Sequence, residues 1–91
     1  MAELWNVLVV EDSPEDYEMV VRTLRRAGCL GESQRVESME QLAESIGTTS
    51  WDVVLCDFNI PGMDFEASIS LLKKNVPAVP VIVVSGGIDA G

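Results

Sequence analysis

Short, almost wholly apolar runs alternate with segments of helical periodicity along the entire chain, and that alternation leaves few folds open. Residues 7–10 form the first run, which stops abruptly at Glu11, Asp12, Ser13 and Pro14. A buried strand gives way to a helix start there. Ser13 is a good N-cap, Pro14 suits the first helical position, and Glu15 and Asp16 favour the positive helix end. Asp16 also stands where the acid of a capping box belongs. Tyr17, Val20, Val21, Leu24 and Ala27 then follow the helical period, with Glu18 four residues before Arg22, until Arg25, Arg26 and Gly28 supply an ending. The first helix is expected over 14–27.

A polar stretch over 34–37, in which little but Val36 demands burial, reads as a short edge strand. Ser38 with Gln41 forms a second capping box, and Met39, Leu42, Ala43 and Ile46 make the apolar stripe of a helix that Gly47 ends. Residues 51–56 are a third strand, broken only by Asp52 and closing at Asp57. Asp64 opens a third helix whose Phe65, Ile69, Leu72 and Val76 share a face. A fourth strand covers 79–84, with Pro80 near its start and Ser85, Gly86 and Gly87 at its close.

Strict alternation of strand and helix calls for right-handed crossovers, a parallel sheet and helices on both faces, an open doubly wound α/β fold. Strands one, three and four are apolar enough to be interior, while the polar second strand is peripheral, which gives the order 2-1-3-4. Ninety-one residues make one domain over 1–91, without repeat or linker. Fifteen acidic against six basic residues leave a net charge of -9, which repels phosphate backbone and anionic lipid, so neither nucleic acid nor membrane is an expected partner. No apolar run reaches the roughly 18 residues of a membrane span, and the N-terminus lacks signal-peptide features, so the chain reads as cytoplasmic. Histidine is absent and Cys29 and Cys56 are isolated, which removes most zinc sites and every histidine-dependent triad.

In a doubly wound sheet the crevice lies beyond the carboxyl ends of the strands where the winding reverses, here between strands one and three. Glu11 and Asp12 close strand one, Asp57 closes strand three and Ser85 closes strand four, so three carboxylates and a hydroxyl are expected to converge. Like charges so crowded raise one another's pKa unless a cation intervenes, and an all-oxygen set suits Mg²⁺. With the metal held by some carboxylates, another can act as nucleophile toward phosphorus. Asp57, central and flanked by the others, is the candidate.

Three motifs in this order, VLVVEDSPED over 7–16, VVLCDFNIPGMD over 53–64 and PVIVVSG over 80–86, resemble those of the receiver domains of two-component response regulators. The resemblance covers essentially the whole chain. It implies that Glu11 and Asp12 bind Mg²⁺, that the Asn59 backbone carbonyl is a further ligand, and that Asp57 accepts a phosphoryl group from a histidine kinase or phosphotransfer protein. It also implies a switch hydroxyl at Ser85 and a loop shaped by Pro61 and Gly62. Receivers continue with a fourth helix, a fifth strand bearing a phosphate-pairing lysine, and a fifth helix, so the chain reads as a C-terminally incomplete receiver, a fragment of a longer protein. No lysine stands in for the absent one, since Lys73 and Lys74 both fall near the end of helix three. The uncovered fourth strand is expected to pair with that of a second copy, as a homodimer.

Other readings are weaker. Asp57 to Gly62 begins like a calcium loop, but Pro61 and Ser68 occupy positions that need ligands. Gly86 and Gly87 fit neither nucleotide fingerprint. Cys56 reads as an inert core residue, Cys29 as part of a helix-ending turn, and Trp5 and Trp51 as packing residues. Turnover of an external substrate lacks a general acid or base near Asp57, so the chain is not expected to be an enzyme in that sense. The alternative from another class is a receiver-like interaction module, or an inactive fragment, whose acidic pocket no longer switches.

Overall fold

The computed structural model describes residues 3–84. Over them the chain runs β1 (Trp5–Val10), α1 (Pro14–Arg26), β2 (Leu30–Val36), α2 (Met39–Ile46), β3 (Val53–Asp57), α3 (Phe65–Asn75) and β4 (Val81–Val84). The strands form one parallel sheet in the order β2-β1-β3-β4, as the alternation requires. Ser85, Gly86 and Gly87 lie outside the described residues. Among the described residues no helix is long and apolar enough to cross a membrane.

Alternation along the central strands sorts the core into two layers. Leu8, Val10, Val54 and Cys56 face α2 and α3 and pack with Val36, Leu42, Trp51, Ile60 and Leu72. Val7, Val9 and Val53 face α1, where Tyr17, Val20 and Leu24 cover them less completely. Ser68, near the start of α3, is the buried polar exception on that helix, and its hydroxyl donates to the Asp64 carbonyl at 3.1 Å.

The helix ends follow from local chemistry. The Ser13 hydroxyl accepts the Asp16 N–H at 3.2 Å, and the Ser38 hydroxyl accepts that of Gln41 at 3.1 Å. Neither capping box closes on its own cap residue. Gln41 Oε1 accepts from Glu37 N–H, one residue before the cap, and the Ser13 N–H goes to Glu11 Oε2 rather than to Asp16. At the C-terminus of α1, Ala27 caps, Gly28 takes φ 77°, and the N–H groups of Gly28 and Cys29 return to the carbonyls of Arg25 and Leu24. That is a Schellman ending, and Cys29 is its outer residue.

Several boundaries differ from the sequence expectation. β2 starts at Leu30 rather than at residue 34 and stops before Glu37. Side-chain bonds extend it: Asn6 Oδ1 accepts the Glu32 N–H at 2.9 Å, Tyr17 and Ser33 share a hydroxyl bond at 2.7 Å, and Leu30 packs under α1. β1 starts earlier, at Trp5, and Trp5 is exposed rather than packed. Trp51 is buried but outside β3, its indole N–H donating to the Ser45 carbonyl at 2.8 Å. Val79 N–H turns back to the Val76 carbonyl, which delays β4 to Val81. β4 is the sheet edge among the described residues, and Ile82, Val83 and Val84 are exposed along it.

Gly28 tests the helix ending in isolation, because a Cβ built there meets nothing within 4 Å. Only its left-handed backbone resists substitution, so Gly28→Ala is expected to cost about 1 kcal/mol in urea unfolding, with Gly28→Asn costing less.

Candidate functional site

The register of the central strand pair builds the site. Val10 pairs with Cys56, so Glu11 and Asp57, the next residue on each strand, emerge together at the carboxyl end of the sheet. Glu11 stays tied to the sheet by its N–H, which donates to the Val36 carbonyl at 2.9 Å. Asp12 follows in the turn that leads to the cap of α1. One carboxylate oxygen from each of Glu11, Asp12 and Asp57 lies within 4.8 Å of the others, with Glu11 and Asp57 buried and Asp12 exposed. The three carboxylates expected to meet are therefore brought together.

Two backbone donors orient the buried pair. Asn59 N–H donates to Asp57 Oδ1 at 3.0 Å, and Ser13 N–H donates to Glu11 Oε2 at 3.1 Å. Beyond Asp57 the chain reverses at Pro61 and Gly62, with Met63 N–H returning to the Ile60 carbonyl at 3.0 Å and Gly62 at φ 85°. Pro followed by a positive-φ Gly is the signature of a type II turn. The buried side chain of Ile60 pins that turn to the core, and Asp64 then caps α3 by accepting from Glu66 and Ala67. Lys73 and Lys74 occupy the last turn of α3, away from this capped end.

The electrostatics are strained in the direction that a cation relieves. Burial, foremost, pushes the Glu11 carboxyl up to about 7, the Ser13 N–H opposes this, and the charges of Asp57 and Asp16 and a hydrogen bond to Asp57 raise it further. Asp16, expected from the sequence only as a capping acid, thus also acts on the cluster; its place in the first turn after the acidic pair is the signal for that. Cys56 is pushed up to about 11 by burial and then by Asp57, which keeps it a protonated, inert thiol. Hard oxygen donors, a net negative charge and one solvent-exposed member fit a hard divalent cation with remaining water ligands.

Comparisons with known proteins agree with this fold. The family model described as "Response regulator receiver domain" matches residues 7–90. The DNA-binding transcriptional regulator NtrC of Escherichia coli (strain K12) is 30% identical over 83 residues, 91% of this chain and 17% of that protein. The response regulator protein FleR of Pseudomonas aeruginosa is 31% identical over 85 residues, 91% of this chain and 18% of that protein. The chain thus spans less than a fifth of the length of these curated relatives. Among solved structures, the MaeR response regulator bound to beryllium trifluoride superposes with TM-score 0.81 at 20% identity, over 96% of this chain and 71% of that one. The receiver domain of sensor histidine kinase PA1611 from Pseudomonas aeruginosa PAO1, with a magnesium ion in its active-site cleft, gives 0.77 at 23% identity, over 92% and 69%. Response regulator TrrA in complex with histidine kinase ThkA gives 0.78 at 21%, over 94% and 72%.

The raised Glu11 pKa sets a direction for stability. Its folded value of about 7 exceeds the ordinary 4.5, so its contribution is fully present below about pH 4.5 and is lost as pH rises through 7. In chelator, the thermal midpoint of the wild type is expected to fall between pH 5 and pH 8 more steeply than that of Glu11→Gln, as read by circular dichroism melts. Equal slopes would count against a strained carboxyl at position 11.

Proposed function

Because the chain belongs to the response regulator receiver domain family, the phospho-accepting modules of two-component signalling, we propose that Asp57 is its acceptor and that Mg²⁺ is its metal. The single observation that carries this reading is the convergence of Glu11, Asp12 and Asp57, from two separate strand ends, to within 4.8 Å. Glu11, Asp12, Asp57 and the backbone carbonyl of Asn59 would hold the ion, and the magnesium in the cleft of the PA1611 receiver supports that choice. When bound, Mg²⁺ supplies positive charge that offsets the carboxylates and the incoming phosphoryl oxygens.

The protein's own groups do the rest. The Asn59 N–H fixes one Asp57 oxygen, leaving the other as the nucleophile. That oxygen forms the new O–P bond as the donor's P–N bond breaks, and the electron pair leaves with the donor imidazole. No histidine lies within residues 1–91, so the phosphohistidine is supplied from outside them, by a sensor histidine kinase or a phosphotransfer protein. The TrrA neighbour, in complex with histidine kinase ThkA, supports that partner class. Ser85 directly follows Val84, which pairs in register with Asp57, and this supports its assignment as the hydroxyl that meets the phosphorylated acceptor. The Pro61–Gly62 turn reverses the loop beyond the acceptor, from which the Asn59 N–H reaches Asp57 Oδ1.

A second copy of the chain is the other partner we infer. Among the described residues β4 presents an uncharged, β-branched edge, with Ile82 53%, Val83 50% and Val84 41% exposed. Light scattering across micromolar concentrations is expected to show a dimer that grows with concentration; a strictly monomeric chain would overturn this pairing.

The acceptor itself is tested by intact-mass analysis after incubation with acetyl phosphate and Mg²⁺. One phosphoryl adduct is expected on the wild type, and none on Asp57→Asn or in the presence of chelator. A folded wild-type chain that takes no adduct would refute the acceptor reading and favour a binding module that does not switch.

A further inference from the structure

The polar strand β2 reaches the acid cluster through one side chain that the proposed function leaves unused. Arg35 pairs with Val9 across the β1–β2 register, one residue before the Val36 carbonyl that accepts the Glu11 N–H at 2.9 Å. Its Nη1 donates forward to the Glu11 carbonyl at 3.3 Å and to Glu37 Oε1 at 2.6 Å. The N–H and the C=O of Glu11 are therefore both tied to β2. Glu37 is anchored in turn, because its N–H donates to Gln41 Oε1, in the first turn of α2, at 2.8 Å.

The bond to the Glu11 carbonyl has a local consequence. That carbonyl belongs to the planar peptide unit that leads into Asp12, so holding it sets where Asp12 stands. Two of the three clustered carboxylates are oriented by N–H donors, Glu11 by Ser13 and Asp57 by Asn59. Among the described residues no donor orients the exposed carboxylate of Asp12, whose direction comes from its backbone alone. Stability does not account for the arrangement. The side chains of Arg35 and Glu37 are 28% and 45% exposed, and ion pairs so open to water contribute little to folding. Nor does direct action on the neighbouring acid account for it: the groups that shift the Glu11 carboxyl by charge or hydrogen bond are Ser13, Asp57 and Asp16. Arg35 reaches the backbone instead.

We propose that Arg35 is a positioning residue of the metal site: by holding the Glu11 carbonyl it turns the Glu11–Asp12 peptide so that the Asp12 carboxylate is presented to the cation beside Glu11 and Asp57. The inference rests on the reading of this cluster as a Mg²⁺ site, and the sign of one effect tests it. A guanidinium that acts only by its charge repels a cation, so removing it tightens Mg²⁺ binding, whereas removing one that positions a ligand weakens it. Wild type, Arg35→Met and Arg35→Lys are titrated with Mg²⁺ and followed by the amide resonances of Asp12 and Asn59 in two-dimensional NMR spectra. Arg35→Met is expected to raise the dissociation constant roughly tenfold, the lower end of the range for groups that orient metal ligands. It is also expected to shift the Asp12 amide before metal is added, while its thermal midpoint in chelator stays close to that of the wild type. Arg35→Lys, which keeps the charge and a donor, is expected to recover part of the loss. Mg²⁺ bound by Arg35→Met as tightly as by the wild type, or more tightly, would overturn the proposal in favour of a surface charge. A weakening that comes with resonance changes along all of β1 and β2 and a lowered thermal midpoint would overturn it in favour of general support of the sheet. Intact mass separates the acceptor reading: with acetyl phosphate, adduct formation on Arg35→Met is expected to need roughly tenfold more Mg²⁺ than on the wild type. A wild type that binds Mg²⁺ but takes no adduct removes the acceptor reading alone, and the titration still decides the role of Arg35. A wild type whose amides do not respond to Mg²⁺ overturns the metal reading and this inference with it.

Discussion

The parallel pairing of β1 with β3 is the constraint on which the rest depends. Its register, Val7 with Val53 through Val10 with Cys56, does two things at once. It buries four consecutive apolar residues of β1 on both faces of the sheet, and it delivers Glu11 and Asp57 side by side at the end. A slip of one residue would turn every side chain of a strand to the opposite face, so the hydrophobic pattern that holds the core also fixes the carboxylates. β2 and β4 flank this pair, and each ties one acid-bearing turn: Val36 accepts from Glu11 N–H, and Val84 accepts from Phe58 N–H.

The site is assembled against its own electrostatics. Two buried carboxyls and a third exposed one sit within 4.8 Å of one another, and packing rather than charge brings them there. The backbone offsets part of the cost, through Ser13 N–H to Glu11 and Asn59 N–H to Asp57. What is left over appears as the upward push on Glu11, led by its burial, and it is of the kind that a cation relieves. The caps of α1 and the turn at Pro61 and Gly62 are thus parts of the site as well as of the fold, because the same N–H groups that begin or reverse the chain point at the acids.

Much of this was legible in the sequence, for identifiable reasons. β1 and β3 announce themselves because strands buried on both faces must be apolar throughout, and the acids at their ends then converge by topology alone; β4 reads as a strand from the same kind of apolar run, although Ile82, Val83 and Val84 are exposed along it. The first half of β2 was not legible. Residues Leu30 to Ser33 belong to the sheet through Asn6 and Tyr17, and Gly31 is there because a Cβ would come within 2.7 Å of Asn6 Oδ1. Nothing in a polar Gly-Glu-Ser run reveals contacts made from another strand and a helix. The two tryptophans diverge for a similar reason: Trp51 finds the Ser45 carbonyl for its N–H inside the core, whereas Trp5 has the open amino end of the sheet beside it. The sequence also placed Glu11 at the end of β1 without showing that its carboxylate is shared between the Ser13 amide and Asp57.

The uneven cover of the two sheet faces bears directly on access to Asp57. Asp57 has the parity of Val53 and Leu55, so it belongs to the face that α1 covers, and Ile82 and Val84 pair with Leu55 and Asp57 on that same side. α1 packs toward β1 and β2, leaving an apolar groove of about 420 Å³ whose lining runs from Glu11 and Asp16 through Met19, Val20 and Leu24 to Val84. The opposite face, closed by α2 and α3, holds the larger buried cluster and so the greater share of the hydrophobic stabilisation. A rigid layer therefore sits behind β3 while the acids open onto the thinner side. This division lets the strand end be held in place from one face and left open on the other, which suits the acceptor role proposed for Asp57.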